Sequence, residues 1–135
     1  MNYWLVKSEP ESFSLQDFQR ENITVWDGVR NYQARNNLKF MALGDVCIFY
    51  RSVKNPAAIA LCHVAETAYP DPLDGQWVCV KLQIGKVFPK ELSLSAIKAD
   101  KTLANMDLLR LQRLSVQKVK AEEFDYILSC VGLGQ

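Results

Sequence analysis

Hydrophobic residues occur along the chain in short runs and alternations that are separated by Gly, Pro, Asp and Asn. Runs rich in aromatic and β-branched residues predict six strands, at 2–6, 23–26, 46–51, 57–68, 76–88 and 114–119. Between the fourth and fifth runs, the Pro and Gly residues of 70–75 predict a turn-rich loop that joins two long strands. Strands are therefore the dominant elements of this chain.

Helical spacing of apolar residues is found in a few shorter segments. A first helix is predicted to begin after Ser14, a suitable N-cap, with Asp17 near its positive end. Helices at 31–41 and 121–131 each place their apolar residues on one face, and a short helical piece begins at 93–97. The apolar face residues are Leu15 and Phe18 in the first helix, Ala34, Leu38 and Met41 in the second, and Phe124, Ile127, Leu128 and Val131 in the last.

The order of these elements predicts the fold class. Strands do not alternate regularly with long helices, which argues against a doubly wound parallel sheet. The expected fold is α+β, a curled, mixed or mostly antiparallel β-barrel with short peripheral helices. With 135 residues the chain is expected to form a single domain over 1–135.

Charge changes this picture only locally. Sixteen basic and fifteen acidic residues give a net charge of +1, which argues against a strong non-specific coat for DNA. Between 30 and 54, however, there are five cations and one acid, so one face is expected to be basic unless these charges are simply solvated on a helix and a loop. The cations are Arg30, Arg35, Lys39, Arg51 and Lys54.

Cysteine and histidine give no sign of a metal centre. Cys47, Cys62, Cys79 and Cys130 lack CxxC spacing and lie in apolar runs, so they are expected to be small buried hydrophobes. His63 is the only histidine, and neither a metal nor a cofactor is predicted. The chain has no apolar run of membrane length and no signal-peptide pattern, so a cytoplasmic location and no membrane partner are expected.

The segment 26–37 has the most unusual composition in the chain. It combines two cations, four side-chain amides and two aromatic rings around a turn at Gly28. Guanidinium groups, amides and flat rings together suit a planar, hydrogen-bonding, negatively charged partner, and a nucleotide has these properties. Nucleic acid is therefore the expected partner.

Aromatic residues also stand where strands are predicted to end. Trp26, Tyr32, Tyr50 and Tyr69 lie beside Gly, Pro, Arg or Ser rather than inside apolar runs. Binding groups commonly collect at strand ends and in the loops after them, and an aromatic platform contributes roughly 1–3 kcal/mol per stacked base. The alternative is that Trp26 and Tyr50 only cap the core.

Polar residues with directional hydrogen bonds follow the first predicted strand. Lys7, Ser8 and Glu9 precede Pro10 and are expected to form a fixed turn. Glu9 could accept a hydrogen bond from an exocyclic amine, and Ser8 could donate one to a ring acceptor, as in pockets for flipped bases. Asp27 is expected to hold the Gly28 turn through its own backbone.

Catalysis is the main alternative. No phosphate-binding loop, nucleophile elbow or dinucleotide motif occurs in the chain. Glu9, Asp27 and Asp71 could nevertheless form a carboxylate cluster for acid–base work or Mg²⁺ binding on a nucleotide-like ligand. A sensor of a free small molecule in the same pocket is a further alternative.

At these residues the chain resembles the EVE-domain family. The central element, 26–36, has the sequence WDGVRNYQARN and is highly specific, and the first element, 3–10, has the sequence YWLVKSEP. Shorter matching elements lie at 43–45, 49–50, 68–72, 97–98 and 113–116. The resemblance extends from residue 3 to about residue 124 in family order.

The resemblance implies a PUA-like fold, related to the YTH and ASCH domains. It also implies a non-enzymatic module that recognises a modified base, notably 5-methylcytosine and its oxidised forms in DNA, with modified RNA also possible. A stand-alone domain of this size is expected to be a monomer or to associate weakly, and it could lend specificity to a separately encoded nuclease or methyltransferase.

The resemblance also implies a binding site. The implied base pocket consists of Lys7, Ser8, Glu9, Trp26, Gly28, Arg30, Tyr50, Ser52, Pro70, Asp71 and Pro72. The implied phosphate contacts are Arg30, Arg35, Lys39 and Arg51. The chain departs from many relatives at Arg51 and Ser52, where they have His-Ser or another polar pair, and in having no long insertion after Pro72. Both departures bear on which base is preferred.

Overall fold

One mixed sheet of six strands organises the chain, and the computed structural model describes residues 1–134. In spatial order the strands are β2, β5, β4, β3, β1 and β6. Strands β1 and β3 pair in parallel, and every other pairing in the sheet is antiparallel. The strands are β1 (Tyr3–Ser8), β2 (Ile23–Trp26), β3 (Val46–Arg51), β4 (Ala57–Asp71), β5 (Asp74–Ser93) and β6 (Val116–Val119).

Five short α-helices and one 3₁₀ turn connect and cover the strands. The helices are α1 (Leu15–Glu21), α2 (Tyr32–Phe40), α3 (Leu94–Ala99), α4 (Asp107–Arg110) and α5 (Ala121–Cys130), and the 3₁₀ turn is Lys101–Leu103. Ser14 caps α1 in a reciprocal capping box with Asp17, which confirms the predicted start of this helix. Within residues 1–134, no helix has the length and apolar character needed to cross a membrane.

The sheet is curled around a single inner core. All six strands contribute to this apolar cluster, including Trp26 of the edge strand β2 and Val116 of the opposite edge strand β6. Six strands about 4.8 Å apart would hold the two edges far from each other in a flat sheet, so a shared cluster requires strong curvature. The inner core also includes Trp4, Val6, Phe18, Ala34, Leu38, Cys47, Phe49, Ile59, Val80 and Leu82.

An outer core covers the other face of the sheet. Strand residues alternate between the two faces, so Leu5, Ile48 and Tyr50 point away from the inner core. The C-terminal helices, the 3₁₀ turn and their caps supply most of the other members, which include Ile97, Leu103, Met106, Leu108, Phe124, Ile127 and Val131. The predicted apolar faces of α2 and α5 are thus confirmed as buried faces.

The structure confirms the α+β class and corrects three details. β4 and β5 are longer than expected, and only a two-residue turn, Pro72 and Leu73, separates them. The turn-rich loop predicted at 70–75 is therefore mostly strand. Among the described residues, edge strands β2 and β6 do not pair with each other, so the curled sheet is not a closed barrel. Finally, the first turn begins later than expected, because β1 continues through Ser8.

The cysteines behave as expected for small hydrophobes. Cys47, Cys62 and Cys79 are buried, Cys130 is partly buried, and all four are free thiols. The Cys62 side chain and burial both raise the pKa of the Cys47 thiol well above its ordinary value. The Cys47 thiol therefore remains protonated at neutral pH, and the buried thiols serve packing.

A buried carboxylate sets the start of the parallel strand pair. Asp45 is only 3% exposed, and it accepts hydrogen bonds from Trp4 Nε1 at 3.0 Å and from the Ala42 backbone N–H at 2.9 Å. It also accepts from the Asn2 backbone N–H at 3.3 Å. Burial by itself raises the pKa of Asp45, but these hydrogen bonds outweigh it and hold the pKa below the ordinary value. The bonds align the beginning of β1 with the beginning of β3.

We expect Asp45→Ala to lower the free energy of unfolding by about 2–3 kcal/mol at neutral pH, because it leaves the buried Trp4 N–H without an acceptor. The folded-state pKa of Asp45 is lowered, so its stabilisation is complete above the ordinary carboxyl pKa and is lost as pH falls through the lowered value. Urea unfolding from pH 7 to pH 2.5 should therefore show that the difference in stability between the two proteins becomes smaller toward acid pH. A difference independent of pH would contradict this role.

Candidate functional site

A cavity of about 550 Å³ opens between the end of β1, strand β2 and the turn after β2. This size falls in the range of small-molecule and nucleotide pockets. Most of the residues predicted from the first two motifs meet here. The lining residues are Lys7, Ser8, Glu9, Ser12, Phe13, Glu21, Thr24, Val25, Trp26, Asp27, Gly28, Val29, Arg30 and Ser115.

Trp26 is a half-buried wall of this cavity. Its ring packs edge-to-face on Phe49, with ring centroids 6.0 Å apart, and on Phe13, with centroids 6.2 Å apart. Phe18 lies against the same ring with centroids 6.4 Å apart. The indole is therefore held in place by the inner core while part of it faces the cavity. Core packing and cavity lining are both roles of this residue.

The three polar residues after the first hydrophobic run line the cavity, but only Glu9 lies beyond the strand. Lys7 donates from Nζ to the Gln112 backbone carbonyl at 2.7 Å, and burial lowers the pKa of its ammonium. The Ser8 hydroxyl donates to the Phe13 carbonyl, so its single proton is already used. Ser8 can thus offer an acceptor but not the donor that we expected. Glu9 is exposed and keeps its carboxylate open to a ligand.

Asp71, rather than Asp27, holds the Gly28 turn. One carboxylate oxygen of Asp71 accepts from the Gly28 N–H at 3.4 Å and from Arg30 Nη1 at 3.2 Å. The other oxygen accepts from the Leu73 N–H at 2.9 Å. The Leu73 bond first, and then the Gly28 and Arg30 bonds, lower the pKa of Asp71 against the opposing effect of burial.

This arrangement corrects the expectation for Asp27, whose side chain is exposed and makes no hydrogen bond to a described residue. The sequence could not show that Asp71 takes this role, because the β4–β5 hairpin brings Asp71 to Gly28 across 43 residues. Gly28 has a φ of 74°, a left-handed conformation that favours glycine.

An aromatic and cationic stack adjoins the cavity at Arg30. The guanidinium carbons of Arg30 and Arg35 lie 5.5 Å and 5.8 Å from the centroid of the Trp77 ring. Tyr32 packs on Trp77 with centroids 5.1 Å apart, and Arg35 lies 4.9 Å from the Tyr32 centroid. Trp77 was not among the residues predicted from the sequence, although its position shortly after the predicted turn residues Asp74 and Gly75 was a usable signal.

The four predicted phosphate contacts differ in how many of their side-chain nitrogens are already hydrogen-bonded. Arg30 and Arg35 each use Nη1, to Asp71 and to the Gln76 carbonyl respectively, and Arg35 also has a buried Nε that makes no hydrogen bond to a described residue. Lys39 is exposed, and since it lies four residues after Arg35 on α2 it shares the same side of the helix. These three cations form one surface beside the cavity.

Arg51 does not belong to that surface. Its guanidinium forms a two-pronged ion pair with Glu91, at 2.7 Å and 3.1 Å, and its Nε donates to the Asn55 carbonyl at 2.8 Å. Hydrogen bonding between the pair raises the pKa of Arg51 and lowers that of Glu91. All its nitrogens are therefore engaged, which argues against the predicted phosphate contact. Arg51 instead fastens the end of β3 to β5.

Tyr50 and Ser52 line a second cavity, of about 370 Å³, and not the cavity of Trp26. The reason is strand alternation, since Phe49 points into the inner core beside Trp26 and Tyr50 therefore points to the outer face. Lys7 contributes to the walls of both cavities. The expectation that Tyr50 closes the Trp26 pocket is thus corrected.

The remaining predicted residues lie outside the cavity as well. Pro70 is an exposed residue of β4, and Pro72 is an exposed residue of the hairpin turn. Asp71 is buried and hydrogen-bonded, so Glu9, Asp27 and Asp71 do not gather into a carboxylate cluster. Within residues 1–134, no group of three His, Cys, Asp or Glu side chains is placed to hold a metal ion.

Comparison with known protein families gives one match across the chain. The model of the EVE domain matches residues 2–130. A curated relative, thymocyte nuclear protein 1 of Mus musculus, is 38% identical over 164 residues, covering 95% of this chain and 73% of the mouse protein. The matched range of the family model includes the two motifs that line the cavity.

Solved structures agree with this match. Human THYN1, crystallised in complex with 5-methylcytosine-containing DNA, superposes with a TM-score of 0.89 at 34% identity, covering 96% of this chain and 97% of that one. An ASCH protein from Zymomonas mobilis superposes with a TM-score of 0.60 at 10% identity, over 99% of each chain. The second likeness concerns the fold alone and supports the PUA-like architecture.

We expect Asp71→Ala to loosen the cavity wall, because it leaves the Gly28 and Leu73 N–H groups and the Arg30 guanidinium without their shared acceptor. Hydrogen exchange followed by NMR should be faster at Gly28 and Leu73, and the melting temperature should fall. Asp74→Ala is a matched control in the same hairpin, since the exposed Asp74 side chain accepts only from the Gln76 N–H among the described residues. Equal exchange in the two variants would argue against this role of Asp71.

Proposed function

The chain belongs to the EVE domain family, and from this we propose that it is a non-enzymatic DNA-binding module that recognises a modified cytosine. The modified base, in this proposal, enters the 550 Å³ cavity in an extruded or single-stranded form and stacks on Trp26. The human relative crystallised with 5-methylcytosine-containing DNA makes that base the first candidate.

The half-buried Trp26 ring is the observation that best supports this proposal. Three phenylalanine rings immobilise the indole, so little side-chain freedom remains to be lost when a flat ligand stacks on it. A single stacked base contributes roughly 1–3 kcal/mol. The cavity wall is therefore suited to a nucleobase before any ligand arrives.

Polar groups around Trp26 suit the edge of cytosine. Glu9 offers an exposed carboxylate that can accept from the exocyclic amine, and Lys7 offers a partly buried ammonium as a donor. The Ser8 oxygen can accept a further hydrogen bond, because its proton is committed to Phe13. We assign Gly28 and Arg30 to the cavity wall that Asp71 holds in place.

The neighbouring cations suit the phosphates on either side of such a base. Arg30, Arg35 and Lys39 lie on one surface beside the cavity, and both guanidinium groups retain nitrogens that are not bonded to described residues. Tyr32, a residue that is 62% exposed, could stack on a flanking base. A module with a net charge of +1 can thus bind a polyanion through one face.

Several finer expectations stay predictions. These are binding to RNA or to oxidised forms of 5-methylcytosine, a monomeric state, a cytoplasmic location, and service to a separately encoded nuclease or methyltransferase. Glu9 and Asp27 line the cavity without Asp71, so the geometry supplies no support for the catalytic alternative.

Equilibrium binding of labelled oligonucleotides tests the base pocket. Strands that carry cytosine, 5-methylcytosine or 5-hydroxymethylcytosine, as DNA and as RNA, are titrated with wild type and with Trp26→Leu. We expect tighter binding to a modified strand, and a loss of about tenfold or more in Trp26→Leu, because leucine keeps an apolar side chain at this position but removes the flat stacking face.

Tyr50→Phe is the matched control for that experiment, since Tyr50 lines the other cavity. Its affinity should stay within about twofold of wild type, which is a small fraction of the stacking energy. Circular dichroism and melting curves establish that each variant is folded. Equal affinity of wild type for modified and unmodified strands, or a loss in Tyr50→Phe rather than in Trp26→Leu, would refute the assignment.

Salt dependence tests the phosphate contacts. With about three cations engaged, the plot of log affinity against log salt should have a slope of roughly −2 to −3. Lys39→Ala should make the slope shallower by about 0.7–0.9, whereas Lys86→Ala, a control at another exposed lysine, should leave it unchanged. A flat response to salt in wild type would count against nucleic acid as the partner.

A further inference from the structure

Leu73 is the most exposed large hydrophobic side chain among residues 1–134, with 88% of its surface accessible. Single exposed leucines are common on protein surfaces and need no explanation by themselves. Leu73 differs from an ordinary one in two respects. It stands at the tip of a rigid turn, and that turn is joined to the wall of the Trp26 cavity.

The rigidity comes from the residues on either side. Pro72 has a restricted φ, and it forms with Leu73 the two-residue turn between β4 and β5. The Leu73 backbone N–H is bound to the Asp71 carboxylate at 2.9 Å. Asp71 is 3% exposed and pairs with Asp74 across the hairpin. The leucine is therefore presented by a fixed backbone.

The Asp71 carboxylate also fixes the position of Leu73 relative to the cavity. Its second oxygen binds the Gly28 N–H and Arg30 Nη1, and both of these residues line the cavity. The Leu73 backbone is thus joined to two residues of the cavity wall through one carboxylate group. An exposed apolar side chain is therefore held beside a site that, under the proposed function, receives a base taken out of a stack.

Extracting a base from a duplex leaves a gap between its neighbours, and proteins that distort DNA commonly insert an apolar side chain such as leucine into the stack. We propose that Leu73 is the wedge that enters duplex DNA when the modified base is extruded into the Trp26 cavity. This inference rests on the proposed function. It adds that the preferred ligand is paired DNA and that Leu73 compensates for the lost stacking.

Three DNA ligands distinguish the proposed role of Leu73 from base binding in the Trp26 cavity. They are a duplex with 5-methylcytosine opposite guanine, the same 5-methylcytosine strand alone, and a duplex with 5-methylcytosine opposite an abasic site. Wild type, Leu73→Ala and Leu73→Met are compared, with Leu43→Ala as the control. Leu43 is also a highly exposed leucine, 70% accessible, but it follows α2 and does not line the cavity.

We expect Leu73→Ala to lose about tenfold in affinity for the fully paired duplex and to bind the other two ligands within about twofold of wild type. Leu73→Met should retain most of the duplex affinity, because methionine is also an apolar wedge. Leu43→Ala should match wild type throughout. A 2-aminopurine placed next to the modified base should brighten on binding of wild type and less on binding of Leu73→Ala.

The possible failures can be told apart. Wild type that binds none of the three ligands would overturn the proposed function together with the wedge. Wild type that binds the single strand but not the paired duplex would overturn the wedge alone. Equal losses by Leu73→Ala on all three ligands would show that Leu73 contacts DNA without acting in base extrusion, and this result would also overturn the wedge.

Discussion

The buried carboxylate of Asp71 is the interaction on which the geometry of the site depends. A charge that is 3% exposed has to be hydrogen-bonded, and here its partners are the Leu73 and Gly28 backbones and the Arg30 guanidinium. A single side chain therefore joins the tip of the long hairpin to the turn that follows β2. Because Arg30 in turn lies over Trp77, the same contact also positions the aromatic and cationic surface beside the cavity.

The curled sheet explains why stability and binding are so closely linked at Trp26. Its ring contributes to the inner core, which all six strands share, and it also forms a wall of the cavity. A residue with both roles supplies a rigid platform without needing a dedicated support. Lys7 also serves two places, since it lines both cavities. Its ammonium group is anchored to the Gln112 carbonyl.

The site was predictable where it depended on short segments, and it was not where it depended on distant ones. Lys7, Glu9, Trp26 and Arg30 come from two motifs and do meet at one cavity. Tyr50 was misplaced because a strand residue faces one side or the other according to register, and the motif does not contain the register. Sequence composition likewise made Arg51 a plausible phosphate ligand, but Glu91, 40 residues away, occupies it.

Local physical chemistry let the sequence alone determine the class of fold, most helix and strand positions, and the Ser14 cap, whose hydrogen bonds span three residues. The family motifs likewise lie in short, continuous segments. Tertiary structure alone decided the spatial order of the strands, the curvature that unites both sheet edges, and the choice of Asp71 over Asp27. Those outcomes depend on contacts between residues tens of positions apart. Such contacts become favourable only in the folded chain, where an unpaired buried charge or an exposed apolar face is costly.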